Sequence, residues 1–108
     1  MLIFGVICLA LNAVAHLLQV LQIRQDANAP ANAAAGVGAF VVINTIAAVL
    51  NLAGIGWALW LGLIFPLLGG LALAATLQSS PGSRQISYAI LVLDLLCVLT
   101  FGYLLFLA

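Results

Sequence analysis

Long apolar runs separated by short polar stretches make up most of this chain. The first run covers residues 1–23, a second covers 36–77, and the last covers 85–108. A membrane-spanning helix needs about 20 apolar residues, so the second run is long enough for two spans and must contain a turn. Gly54 and Gly56 favour a tight turn there. The pattern therefore predicts four helices, at about 1–23, 36–54, 57–77 and 86–108.

Short polar connections between long helices are typical of antiparallel neighbours. The predicted fold class is therefore an all-α integral membrane protein, with four transmembrane helices in an up-down-up-down bundle with short loops. Residues 1–108 form a single transmembrane domain in this prediction. We expect the first helix to be retained rather than cleaved as a signal peptide, because no basic residue precedes it.

Composition supports a lipid environment and excludes several classes of function. Hydrophobic residues make up 68% of the chain and charged residues 4%, whereas a soluble domain has about a quarter of its residues charged. The chain contains no lysine, so no basic patch is available for nucleic acid. The two arginines, Arg24 and Arg84, fall in loops on the same side of the bundle. The positive-inside rule makes that side cytoplasmic and places both termini on the non-cytoplasmic side.

Three polar residues on different predicted helices are expected at similar depth. Counting from the arginine side, His16, Asn44 and Asp94 each lie about eight residues into their helix. A carboxylate at the centre of a span costs about 2.5–3.5 kcal/mol to insert, so Asp94 marks a specific contact or a function. We predict that these three residues form an intramembrane polar layer and a candidate proton site.

Further polar residues continue this pattern on the same helix faces. Helical spacing places Asn12 and Gln19 on the same face of the first helix as His16. It places Asn51 on the same face of the second helix as Asn44, and Ser87 on the same face of the fourth helix as Asp94. Two interpretations remain open at this point. The residues either hold the bundle together by hydrogen bonds between helices, or they bind and exchange a proton as Asp and His residues do in membrane pumps.

The third predicted helix carries small residues at every fourth position. Such rows allow helices to approach closely, although an exact four-residue repeat drifts around the helix. Pro66 removes one backbone hydrogen bond and predicts a kink. We predict a helix-packing face, used within the bundle or against another subunit, formed by Gly54, Ala58, Gly62, Pro66, Gly70 and Ala74. A gating hinge at the kink is a less favoured alternative.

The favoured function from sequence is that of an accessory or structural subunit of a larger membrane protein complex. The alternative is a homo-oligomeric proton-coupled transporter or channel for small solutes that uses Asp94 and His16. Expected partners are the lipid bilayer and, through the third helix, other membrane subunits or further copies of the chain. The pattern favours a non-enzymatic role, since no catalytic arrangement is present. We expect no metal site and no cofactor, with a haem or pigment ligated by His16 as a less favoured alternative.

Overall fold

The computed structural model describes residues 1–26, 32–76 and 84–107, and these residues form four α-helices. The helices are α1 (Leu2–Gln25), α2 (Ala33–Leu52), α3 (Ala58–Ala75) and α4 (Arg84–Phe106). Each is long and apolar enough to cross a membrane. The predicted fold class, a four-helix membrane bundle, is confirmed. Within the described residues there is no strand.

Helix formation follows from the solvent that such a chain requires. In lipid, a backbone N–H or C=O without a partner costs several kcal/mol, so a spanning segment bonds its backbone groups internally. The helices have 18 to 24 residues, which at 1.5 Å per residue gives lengths of about 27–36 Å. This range brackets the roughly 30 Å hydrocarbon core of a bilayer.

The observed helix ends differ from the predicted ones by a few residues. α2 begins three residues earlier than predicted because Ala33–Ala35 have high helix propensity. It ends at Leu52, two residues early, because Gly54 adopts a positive φ of 81° that a helix cannot continue through. α4 begins at Arg84 instead of 86. The predicted ends of the third and fourth helices, at 77 and 108, lie outside the described residues.

The helices form a four-membered ring in which each packs against its neighbours along the chain, and α1 also packs against α4. α1 is the most buried helix, whereas α2 and α3 expose most of their surface. The exposed side chains on the outer faces are mainly Leu, Ile and Val, such as Leu11, Val49 and Leu99. These faces contact the lipid bilayer.

Two apolar clusters fill the interior, one on each side of the bundle's midpoint. The larger contains Leu9, Cys97 and Phe101, and the smaller contains Ala15, Leu73 and Ile90. Asn12 and Asp94 are buried along their helices between the residues of these two clusters. Other buried polar side chains, such as His16 and Gln19, lie farther toward the arginine end.

Candidate functional site: a buried polar layer

Polar side chains are concentrated in the interior, on α1, α2 and α4. This arrangement is expected in a membrane, where polar groups on the outer surface would lose hydrogen bonds to water without finding partners in lipid. The buried polar residues among those described are Asn12, His16, Gln19, Asn44, Asn51, Ser87, Asp94 and Thr100.

The central contact joins α1 to α4. Asn12 Nδ2 donates a hydrogen bond of 2.6 Å to Asp94 Oδ1, and both residues are at most 3% exposed. Each is the eleventh residue of its helix, so the pair lies near the middle of the span. The structure therefore brings Asp94 to Asn12, which the sequence pattern places beside His16 and outside the predicted trio of His16, Asn44 and Asp94.

The second carboxylate oxygen of Asp94 faces the backbone of α3. A Cβ added to Gly70 would lie 3.2 Å from Asp94 Cβ and 3.5 Å from Oδ2. Oδ2 is buried and has no hydrogen-bond partner among the described residues. One oxygen of the carboxyl group is therefore held by an amide, while the other is unpartnered.

His16 lies one helical turn from Asn12, toward the arginine end. Its Nδ1 is 2.8 Å from the backbone carbonyl oxygen of Asn12. A carbonyl oxygen can only accept, so Nδ1 carries the proton and donates, and Nε2 of the neutral ring is an acceptor. The ring is stacked on Phe40 of α2, with centroids 5.6 Å apart and planes at 20°. Asn12 thus contacts both Asp94 and His16, through its side chain and its backbone respectively.

Asn44 is buried on α2 and bonds to its own helix, and no hydrogen bond joins it to His16 or Asp94 among the described residues. Its Nδ2 donates to the backbone oxygen of Phe40 at 2.7 Å. The Oδ1 atoms of Asn44 and Asn12, like Asp94 Oδ2, are buried without a partner in the part of the chain that the structure describes. Buried polar atoms normally have a partner. The layer therefore has three acceptor oxygens whose bonding capacity is unused by the described side chains.

A cavity of about 420 Å³ extends from this layer toward the arginine end of the bundle. His16 and Gln19 line it from α1, and it reaches Asn32 and Thr76 at the ends of α2 and α3. We call it the His16 cavity. Its full lining among the described residues is His16, Gln19, Asn32, Ala33, Gly36, Val37, Phe40, Gly69, Ala72, Leu73, Thr76 and Ile90.

A second, smaller groove reaches Asp94 from the side. It has a volume of about 200 Å³ and lies between α3 and α4, where Pro66, Gly70 and Leu91 line it together with Asp94. Its other lining residues are apolar. Asp94 therefore borders open space on the α3 side and an amide on the α1 side.

The remaining predicted polar residues take separate positions. Asn51 lies toward the opposite end of the bundle, where its Nδ2 donates to Ala47 O at 2.8 Å and to Ala58 O at 3.0 Å. The bond to Ala58 joins the end of α2 to the start of α3. Gln19 is buried at the His16 cavity, and Ser87 is buried in the first turn of α4. These residues surround the layer without being part of the Asp94–Asn12 contact.

The row of small residues on the third helix divides into inner and outer positions. Ala58, Gly62 and Pro66 are buried, and Gly70 packs on Asp94. Gly54 lies in the preceding turn and is exposed, and Ala74 is exposed near the end of α3. The middle of the row is therefore engaged in contacts within the chain.

Two aromatic residues shape the site, and the sequence analysis assigns no role to either ring. Phe40 stacks on His16, and its backbone carbonyl oxygen accepts a hydrogen bond from Asn44 Nδ2. Phe101 is fully buried against Gly62 and Gly5. Phe40 lies four residues before Asn44 on one helix face, which was the available signal for its position. Phe101 lies seven residues after Asp94, so helical spacing places both on the same face of α4.

No family model, curated protein or solved structure matches this chain. Among the described residues, no three His, Cys, Asp or Glu side chains lie close enough together to hold a metal ion.

Proposed function

We propose that this small integral membrane protein binds a proton at Asp94 and couples that binding to the movement of a small solute. The observation that carries the proposal is the asymmetric environment of the carboxyl group. Asn12 Nδ2 holds Oδ1 at 2.6 Å, while Oδ2 is buried without a partner among the described residues. A proton on Oδ2 removes the charge of the group and leaves the bond from Asn12 intact.

Access to the layer supports a transport role over a purely structural one. The His16 cavity extends from the layer to the arginine end of the bundle, and the smaller groove reaches Asp94 from between α3 and α4. An amide does not carry protons as a carboxyl or imidazole group does, so Asn12 positions the two titratable residues. His16 is the group that meets solutes arriving through the cavity.

The role of accessory subunit is a second candidate with weaker support. This role uses the row of small residues on the third helix as a contact surface for another protein. Gly62 and Gly70 of that row face Phe101 and Asp94 of the same chain. The outer faces of the bundle are mainly apolar, and lipid alone can cover them. A partner or a second copy at the outer face of α3 remains a prediction.

Orientation in the membrane is also part of the proposal. Arg24 lies in the last turn of α1 and Arg84 is the first residue of α4, at the same end of the bundle. By the positive-inside rule, this end is cytoplasmic and both termini are on the other side. The His16 cavity then extends toward the cytoplasm. Reporter fusions at residue 1 and within residues 27–31 distinguish the two orientations.

Infrared spectroscopy of the purified protein tests proton binding at Asp94. The chain has only two acidic residues, so the carbonyl stretch of a protonated side-chain carboxyl can be assigned with two variants. We expect a band that changes reversibly between mildly acidic and mildly alkaline pH. Asp94→Asn, which keeps an oxygen to accept from Asn12, should remove the band, and Asp26→Asn should retain it.

Proteoliposomes loaded with a pH-sensitive dye test the transport step. Wild-type protein and Asp26→Asn should dissipate an imposed pH gradient faster than protein-free liposomes do, and Asp94→Asn should not. A carboxyl band that is independent of pH would make Asp94 a structural residue and contradict the proposal. Native mass spectrometry that finds other proteins in fixed ratio would instead support the accessory-subunit role.

A further inference from the structure

The His16 cavity has the size and lining of a binding site for a small molecule. Its volume of about 420 Å³ lies within the roughly 300–1,000 Å³ of typical ligand pockets. Phe40, Leu73 and Ile90 give it apolar walls from three helices. Such sites combine apolar walls with a few polar groups that fix the orientation of the ligand.

One polar side chain in the wall has unused bonding capacity. His16 is 6% exposed and lines the cavity, and its Nδ1 is occupied by the Asn12 carbonyl. Its Nε2 has no hydrogen-bond partner among the described residues. In the neutral ring Nε2 is an acceptor, so it binds a group that donates, such as a hydroxyl.

The charge of the lining restricts the solute further. None of the described residues that line the cavity is Arg, Lys, Asp or Glu. An ion in this site would lose its hydration without gaining an opposite charge, which is costly. An uncharged molecule with one hydrogen-bond donor meets no such penalty.

We propose that the His16 cavity binds an uncharged, mainly apolar alcohol or phenol, whose hydroxyl group donates a hydrogen bond to His16 Nε2. The inference rests on the proposed function, because it names the class of solute whose movement is coupled to the proton on Asp94. A lipid tail is the competing occupant of such a cavity. It would fill the apolar volume without needing a donor.

The test uses 1-naphthol and 1-methoxynaphthalene, in which a methyl group replaces the donor hydrogen of the hydroxyl group. His16 is the only histidine in the chain, so protein labelled with ¹⁵N-histidine and purified without a histidine tag reports on this ring alone. At mildly alkaline pH, we expect 1-naphthol to shift the Nε2 resonance saturably. The methyl ether should produce no comparable shift, since it cannot donate to Nε2.

A matched pair of glycine variants on α2 locates the binding. Gly36 lines the cavity and Gly38 does not, and a Cβ added at either position meets nothing within 4 Å. Gly36→Leu should abolish the saturable shift, and Gly38→Leu should retain it. Both variants should keep the wild-type circular dichroism spectrum. In His16→Phe, binding followed by naphthol fluorescence anisotropy should weaken about two- to tenfold, as expected for one lost hydrogen bond.

Three results would overturn the inference: equal shifts with both probes, a shift that does not saturate, or equal behaviour of Gly36→Leu and Gly38→Leu. Equal shifts with both probes would also favour the lipid tail as occupant. The proton role is judged separately, because naphthol binding is measured at His16 and proton binding at Asp94. Saturable naphthol binding without a pH-dependent carboxyl band would retain the solute site and reject proton coupling. A pH-dependent carboxyl band without saturable naphthol binding would retain proton binding at Asp94 and reject the solute site.

Discussion

The ring of Phe101 on α4 lies so close to Gly62 on α3 that the latter has no room for a side chain. A Cβ built at Gly62 would be 2.6 Å from Phe101 Cδ2, and one built at Gly5 on α1 would be 2.8 Å from Cζ. Phe101 is fully buried. Three helices therefore meet at one aromatic ring, and the two glycines permit their approach.

We expect Gly62→Ala to destabilise the bundle, because the added methyl group must displace a buried ring. Overpacking of this kind costs about 1–3 kcal/mol, partly offset by the higher helix propensity of alanine. Equilibrium unfolding in mixed micelles, followed by circular dichroism, measures the change. Gly38→Ala is the control, since a Cβ there meets nothing within 4 Å. Equal stability of the two variants would contradict the packing argument.

The bond between Asn12 and Asp94 predicts energetic coupling between α1 and α4. We expect Asn12→Leu to destabilise the bundle because it leaves Asp94 buried without its donor. Replacing both residues by leucine should cost less than the sum of the single changes. The expected coupling is about 0.5–2 kcal/mol, as for other hydrogen bonds between membrane helices. Strictly additive unfolding free energies in this double-mutant cycle would argue that the contact contributes no coupling.

The turn between α2 and α3 depends on one glycine and not on its neighbour. Gly54 has a φ of 81°, which a residue with a Cβ adopts only with strain, whereas Gly56 is not among the positive-φ residues. We expect Gly54→Ala to lower the free energy of unfolding by about 1–2 kcal/mol. Gly56→Ala should change it little. Comparable losses in both variants would place the strain elsewhere in the turn.

Asn51 is predicted to stabilise the same connection through its side chain. Its amide donates both to Ala47 of α2 and to Ala58 of α3, so Asn51→Ala removes a bond across the turn as well as one within the helix. We expect a loss of about 1–2 kcal/mol in the free energy of unfolding. Thr45→Ala is a suitable control because the hydrogen bond from Thr45 to Val41 lies within one helix. If Asn51→Ala loses no more free energy of unfolding than Thr45→Ala does, the bond to Ala58 does not stabilise the turn.

The four spans and the inward polar faces could be predicted because they depend on local properties of the chain. Hydropathy is averaged over about 20 consecutive residues, and helical periodicity relates residues three or four apart. Asn12 and His16 were therefore assigned to one face of α1, and the structure buries both. The polar layer could be proposed from these counts, together with its approximate depth.

Pairing within the layer could not be predicted, because it depends on how each helix is rotated and offset against its neighbours. Counting residues placed His16 and Asp94 at the same depth, yet Asp94 bonds to Asn12, one turn farther from the arginine end. A rotation of 100° per residue means that a shift of one residue changes which side chains face each other. That rotation is set by close contacts such as Phe101 with Gly62, which join residues far apart in the chain. The bonded partner of Asp94 and the His16 cavity are therefore properties of the packed bundle, whereas the helices and their polar faces are properties of the chain.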